Sequence, residues 1–94
     1  MAPVLPGDLD MGVRALLAVP PGARPALARR LIDEARAGAA HTRRTGIWHP
    51  RHGSGTLLAA AAAHPCAPLP ESCDARYRAA LVVLLAAMDD AGVA

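Results

Sequence analysis

Alanine occupies 23 of the 94 positions and phenylalanine none, an imbalance that limits the kind of core the chain can build. Leu, Ile and Val together supply only 20 residues. Alanine contributes little transfer free energy, but it is the best helix former and lets helices approach closely. The composition therefore predicts tightly packed helices with little aromatic filling. No stretch alternates apolar and polar residues as a half-buried strand would, and no internal repeat is present. Residues 1–94 make a single domain, and a chain this short buries only about 60 to 65 per cent of its unfolded surface. Such a thin core gains from self-association.

Prolines and glycines divide the chain into four helical segments. Asp8 is expected to cap a first helix whose apolar positions Leu9, Val13, Leu16 and Leu17 share one face. Val19-Pro20-Pro21-Gly22 ends it, because neither proline can donate to a continuing ladder. A second helix starts near Arg24, with Pro25 in its first turn, and reaches at least Ala40 and potentially Thr45. Its inner stripe is Leu27, Ala28, Leu31, Ile32, Ala35 and Ala39, and Arg29 with Asp33 and Arg30 with Glu34 are i,i+4 pairs. Gly46 to Gly55 reads as a loop, and Ser54 or Thr56 then caps a short helix from Leu57 to Ala63. Cys66-Ala67-Pro68-Leu69-Pro70 is a stiff extended connector. The last helix starts at Ser72 to Asp74 and is apolar almost all round, so it must be buried on more than one side, in the core or at a subunit interface. The expected fold is all-α, a small bundle of about four helices joined by Pro/Gly-rich loops.

All ten basic residues are Arg, and they are unevenly placed. Seven lie between Arg24 and Arg51 against only Asp33 and Glu34, while acidic residues dominate both ends. The middle of the chain is thus the basic part. The longest apolar run, Ala79 to Met88, is far short of the roughly 20 residues that cross a bilayer, so no membrane contact is expected. The opening MAPVLPGDLD has neither a charged n-region nor a long apolar stretch, which makes a soluble cytoplasmic protein the expectation. Cys66 and Cys73 are too few for a disulfide scaffold.

His41 to Thr56 gathers the only Trp, three of the four His and three Arg. His41, His49, His52 and His64, with Cys66 and Cys73, match no common zinc spacing, and neither a metal nor another cofactor is expected. No positioned base marks either thiol as a nucleophile, and Gly53-Ser54-Gly55-Thr56 lacks the Lys and the spacing of a phosphate loop, so no catalytic residue is assigned. The remaining chemistry is contact chemistry. Arg36, Arg43 and Arg44 form a basic edge that Arg51 extends, with forked donors suited to phosphate. Trp48, flanked by His49 and His52, either anchors a partner or folds back into the thin core.

Trp48-His49-Pro50-Arg51-His52-Gly53-Ser54-Gly55-Thr56-Leu57, with Gly7-Asp8-Leu9-Asp10 and Arg29-Arg30-Leu31-Ile32-Asp33-Glu34-Ala35, resembles short all-helical proteins of alphaproteobacteria. These belong to gene transfer agent and prophage-like packaging clusters, where a small terminase subunit is expected. The resemblance implies a helical, oligomeric adaptor that recruits DNA to a large terminase, an ATPase-nuclease. No segment has the tight turn of a helix-turn-helix, so the expected DNA contact is weak, through phosphates and without sequence preference. A helical protein-interaction module that uses the Trp48 loop without DNA is the alternative.

Overall fold

The computed structural model describes residues 1–94 and contains four α-helices: α1 (Pro6–Leu17), α2 (Arg24–Thr45), α3 (Leu57–Ala62) and α4 (Ala75–Asp90). The fold is all-α, as the alanine-rich segments predict, and an isolated bridge between His49 and Gly53 is its one piece of β pairing. The Pro20-Pro21 stop becomes a 3-10 turn, Pro21–Ala23, that leads directly into α2. With 22 residues, α2 is about 33 Å long in a molecule whose longest extent is 41 Å. It ends at Gly46, whose left-handed backbone (φ 76°) carries an N–H that closes on the Thr42 carbonyl.

Helix α1 packs on α3 and α4, and α2 packs against the same two helices and, less extensively, against α1. Val13, Leu16, Leu31, Ile32, Leu57 and Leu84 are the large side chains wholly enclosed between them. Small residues bring the backbones together: a Cβ built on Gly12 of α1 would stand 2.7 Å from Leu84 Cδ2 of α4. Helix α4 buries Ala80, Leu84, Ala87 and Met88, but Val82 is 64% exposed and Leu85 is also open to solvent. A helix apolar almost all round thus has one face in the core and one face uncovered within the single chain.

Arginine holds much of this together through carbonyl oxygens. Arg24 Nε donates to Leu16 O and Val19 O at the end of α1, and Arg14 Nε donates to Ala67 O, fastening the extended connector to α1. Arg78 reaches Cys73 O, and Arg36 donates across to Ala91 O beyond α4. Tyr77 adds an O–H bond of 2.7 Å to Asp10, which ties α4 to α1. That hydrogen bond, with desolvation and the charge of Asp10, pushes the Tyr77 phenol up to about 12. Of the two expected i,i+4 ion pairs, Arg30–Glu34 forms at 3.1 Å, whereas Arg29–Asp33 is absent.

Asp8 differs from its expected role. The first helix begins at Pro6, whose missing N–H costs nothing there, so Asp8 sits inside the first turn and not at the cap. Its Oδ2 accepts the Leu5 N–H and its Oδ1 accepts the Leu58 N–H in the first turn of α3, both at 2.8 Å. Thr56, and not Ser54, caps α3 by accepting from Ala59 N. One carboxylate that is 5% exposed therefore serves two helix N-termini, where negative charge is favoured. Asp8→Ala strands both N–H groups and should cost roughly 2–5 kcal/mol. On a domain of this size that lowers Tm by roughly 10 °C or more, which thermal denaturation followed by circular dichroism measures. A shift of only a degree or two would show that the two bonds are replaced by water without loss.

Candidate functional site

The loop after α2 folds into a small hairpin because His49 acts as its internal acceptor. His49 N donates to Gly53 O and Gly53 N donates to His49 O, both at 3.0 Å, which closes residues 49–53. Within that ring the His49 Nδ1 accepts the N–H groups of Arg51 (3.0 Å) and His52 (3.1 Å). The imidazole does what an Asn or Asp side chain does in an Asx turn. It must be unprotonated at Nδ1 to accept, so its proton sits on Nε2.

The hairpin is seated on α2 by glycines. A Cβ at Gly38 would lie 3.0 Å from both His52 O and Gly53 O, and one at Gly55 would lie 2.6 Å from Ala39 Cα. Gly55 also has φ 108°, a backbone that side chains disfavour. Gly38, a weak point for helix propensity, is therefore where the loop backbone touches the helix.

This seating brings all four histidines to one side of α2. The ring of His49 stacks on His52 at 4.4 Å and meets the edge of His41 at 4.9 Å. His41 Nε2 is buried with no hydrogen-bond partner. Beyond them Glu34, only 13% exposed, receives a bond of 2.7 Å from His64 Nε2 at the end of α3. Glu34 Oε2 lies 3.4 Å from His52 Nδ1, and Glu34 Oε1 also takes Arg30 Nε. An ionised carboxylate only accepts, so His64 presents an N–H from Nε2. Arg30, Glu34, Arg51, His52, Ala63 and His64 line an open cleft of about 410 Å³. No three His, Cys, Asp or Glu side chains are arranged to hold a metal ion.

The residues singled out in the sequence are partly brought together. Arg43 and Arg44 occupy the last turn of α2, where cations suit the helix dipole, and Arg51 projects from the hairpin. Arg36 lies about two turns earlier, engaged with Ala91 O and lining a separate cleft with Met1–Pro3 and Gly92–Ala94. Trp48 is 73% exposed and its neighbour Ile47 is exposed as well, so Trp48 projects from the surface and does not fill the core. His49 and His52 are internal to the hairpin and its seat. Glu34, Arg30 and His64 carry the cleft and were not among the expected site residues. The helical spacing of Arg30 and Glu34 was visible, but His64 is 30 residues from its carboxylate.

Partial burial of the His49 ring lowers its pKa below 6.5, and charge on His52, His41, Arg51 and Arg44 lowers it further. With the folded value below the unfolded one, the unfolded hairpin takes up the proton first as pH falls. The stabilisation by His49 is thus complete above about pH 6.5 and is lost as pH drops from there through the lowered folded value. Trp48 fluorescence, titrated from pH 8 to pH 5, should report hairpin opening in that window. His49→Asn keeps an acceptor that does not titrate and should remove this transition. A transition that persists unchanged in the variant would assign it to another group.

Among known proteins, no curated protein and no solved structure matches the chain. A family model described as a domain of unknown function (DUF7742) matches residues 2–88, which include the hairpin, the glycine seat and every residue of the cleft. The chain therefore belongs to the DUF7742 family.

Proposed function

We propose that this protein is a non-enzymatic, small-terminase-like DNA-packaging adaptor of the cytoplasm. It binds DNA weakly and without sequence preference and recruits a large terminase ATPase-nuclease. The observation that carries the reading is a cluster of three arginines left unused by the fold at one end of α2, whereas the equally unpaired Arg29 and Arg76 stand apart near the starts of α2 and α4. Arg14, Arg24, Arg36 and Arg78 are committed to carbonyl oxygens and Arg30 to Glu34. Arg43 and Arg51 make no side-chain hydrogen bond, and Arg44 has only a 3.4 Å contact with His41. All three are exposed around the end of α2 and the hairpin, where forked donors meet phosphate oxygens. Trp48 beside them offers a face on which a base can stack.

Binding of this kind is electrostatic, so it weakens with salt. Three phosphate contacts imply a slope of about −2 to −3 for log K against log salt concentration. Fluorescence anisotropy with a duplex of arbitrary sequence should give that slope, and the triple substitution Arg43→Ala, Arg44→Ala, Arg51→Ala should abolish it. Absence of binding at low salt, equal in wild type and variant, would remove the DNA half of the reading.

The exposure of Ile47 and Trp48 favours a second reading, a protein-interaction module in which the hairpin tip holds a partner without DNA. Trp48→Ala separates the two: lost pull-down of a partner with unchanged DNA affinity supports the second. The adaptor reading also includes a homo-oligomer formed through the outer face of α4. Light scattering should give a mass above that of the monomer, and Val82→Glu should return it to the monomer. A monomer at every concentration would defeat the oligomer.

A further inference from the structure

We propose that the cleft walled by Arg30, Arg51, His52 and His64 is a binding site for a phosphate group, distinct from the Arg43–Arg44 edge. The proposal rests on how Glu34 is used. Both its oxygens are already engaged, by Arg30 Nε, by His64 Nε2 and by the nearby Nδ1 of His52, so the carboxylate orients these groups and does not confront the cleft as a free anion. Each of the three keeps further polar atoms. The terminal nitrogens of Arg30, the Nδ1 of His64 and the Nε2 of His52 have no hydrogen-bond partner in the fold, and the whole guanidinium of Arg51 is unpaired. With both histidines neutral, the Nδ1 of His64 and the Nε2 of His52 carry lone pairs, so the donors come from the two arginines, which outweigh the one carboxylate, and either ring presents an N–H to the cleft only by taking up a proton.

The architecture is also held in place. Arg30 and Glu34 stand on α2, His64 ends α3, and Arg51 with His52 comes from a hairpin fastened to α2 at Gly38. Three elements thus converge, and Arg30, held by Glu34, is positioned before an anion arrives, which reduces the ordering cost of binding. Planar guanidinium forks are the donors that phosphate oxygens take, through charge-assisted bonds. Ala63, the remaining lining residue, leaves room for the group that bears the phosphate.

The phosphate comes from one of two sources, a DNA strand or a small phosphorylated molecule. The DNA source rests on the adaptor reading, while the site itself does not. Inorganic phosphate is the first probe. Titrated into the intact protein, it should shift the ring signals of His52 and His64 and the Nε signals of Arg30 and Arg51 saturably in NMR spectra. Arg30→Gln, at a side chain 70% exposed, should fold normally and weaken binding by about tenfold or more, the usual effect of losing one charged bond. His64→Gln, which retains a donor toward Glu34 but cannot take up a proton to present an N–H to the cleft, is the second variant and should weaken it comparably. Arg76→Gln, exposed in the first turn of α4 and outside both arginine clusters, should leave phosphate binding unchanged.

A 5′-phosphorylated oligonucleotide and its 5′-hydroxyl counterpart then distinguish the source. Tighter binding of the phosphorylated strand that is lost in Arg30→Gln assigns a DNA-end phosphate, and equal strands with retained inorganic phosphate binding assign a small molecule. Shifts that fail to saturate, or that Arg30→Gln and His64→Gln leave untouched, would overturn the cleft site. DNA binding that depends on Arg43 and Arg44 while phosphate fails to occupy the cleft overturns this inference and leaves the adaptor reading standing.

Discussion

The contact between the hairpin backbone and α2 at Gly38 is the constraint on which the candidate site depends. A helix normally keeps neighbouring backbone away by the width of its side chains. At Gly38 and Ala39 it carries almost none, and the carbonyls of His52 and Gly53 with the backbone of Gly55 come within van der Waals distance. That approach sets His52 over Glu34 and aims Arg51 at the cleft. Glycine weakens an isolated helix, so at this position the gain in tertiary contact outweighs a local propensity cost of about 1 kcal/mol. The residue that looks least suited to a helix is the one that lets the helix carry a site.

Two polar side chains extend the same logic to the rest of the molecule. Asp8 joins the first turns of α1 and α3, and a six-residue helix such as α3 is too short to persist without outside support. His64, at the end of α3, then joins Glu34 on α2. A thin alanine-rich core supplies little energy per residue, and buried charge-assisted bonds fix the positions of elements that apolar packing alone would leave loosely specified. Arginine does similar work at the periphery, where four of the ten guanidinium groups close carbonyls that helix ends and loops leave open. The net charge of +2 therefore says little about the surface. What matters for a partner is which cations the fold has not used, and three of these, Arg43, Arg44 and Arg51, collect at the end of α2 and in the hairpin.

The all-helical class, the proline stop after Leu17, the helix start at Arg24 and the caps at Thr56 and Asp74 follow from the chain locally. They rest on the fixed φ of proline, on short polar side chains that accept the first free N–H groups, and on spacing along one helix face. These causes act within a few residues, which is why they are legible without a fold. The same locality explains the errors. An Asp before an apolar stripe predicts a cap, whereas Pro6 starts the helix earlier and frees Asp8 to serve two helices. Size alone favours burial of Trp48, whereas the hairpin carries the indole out beyond the end of α2 and leaves it 73% exposed.

By itself, then, the sequence determined four helices, their breaks, the basic middle of the chain and the lack of any segment long enough to cross a membrane as a helix. Only the tertiary structure decided that histidines 41, 49, 52 and 64 form one continuous arrangement ending on Glu34, and that Arg36 is committed to Ala91 while Arg43 and Arg51 stay free. The reason is physical. Propensity and periodicity are properties of neighbours, but a carboxylate and an imidazole 30 residues apart meet only when packing has fixed the helices that bear them.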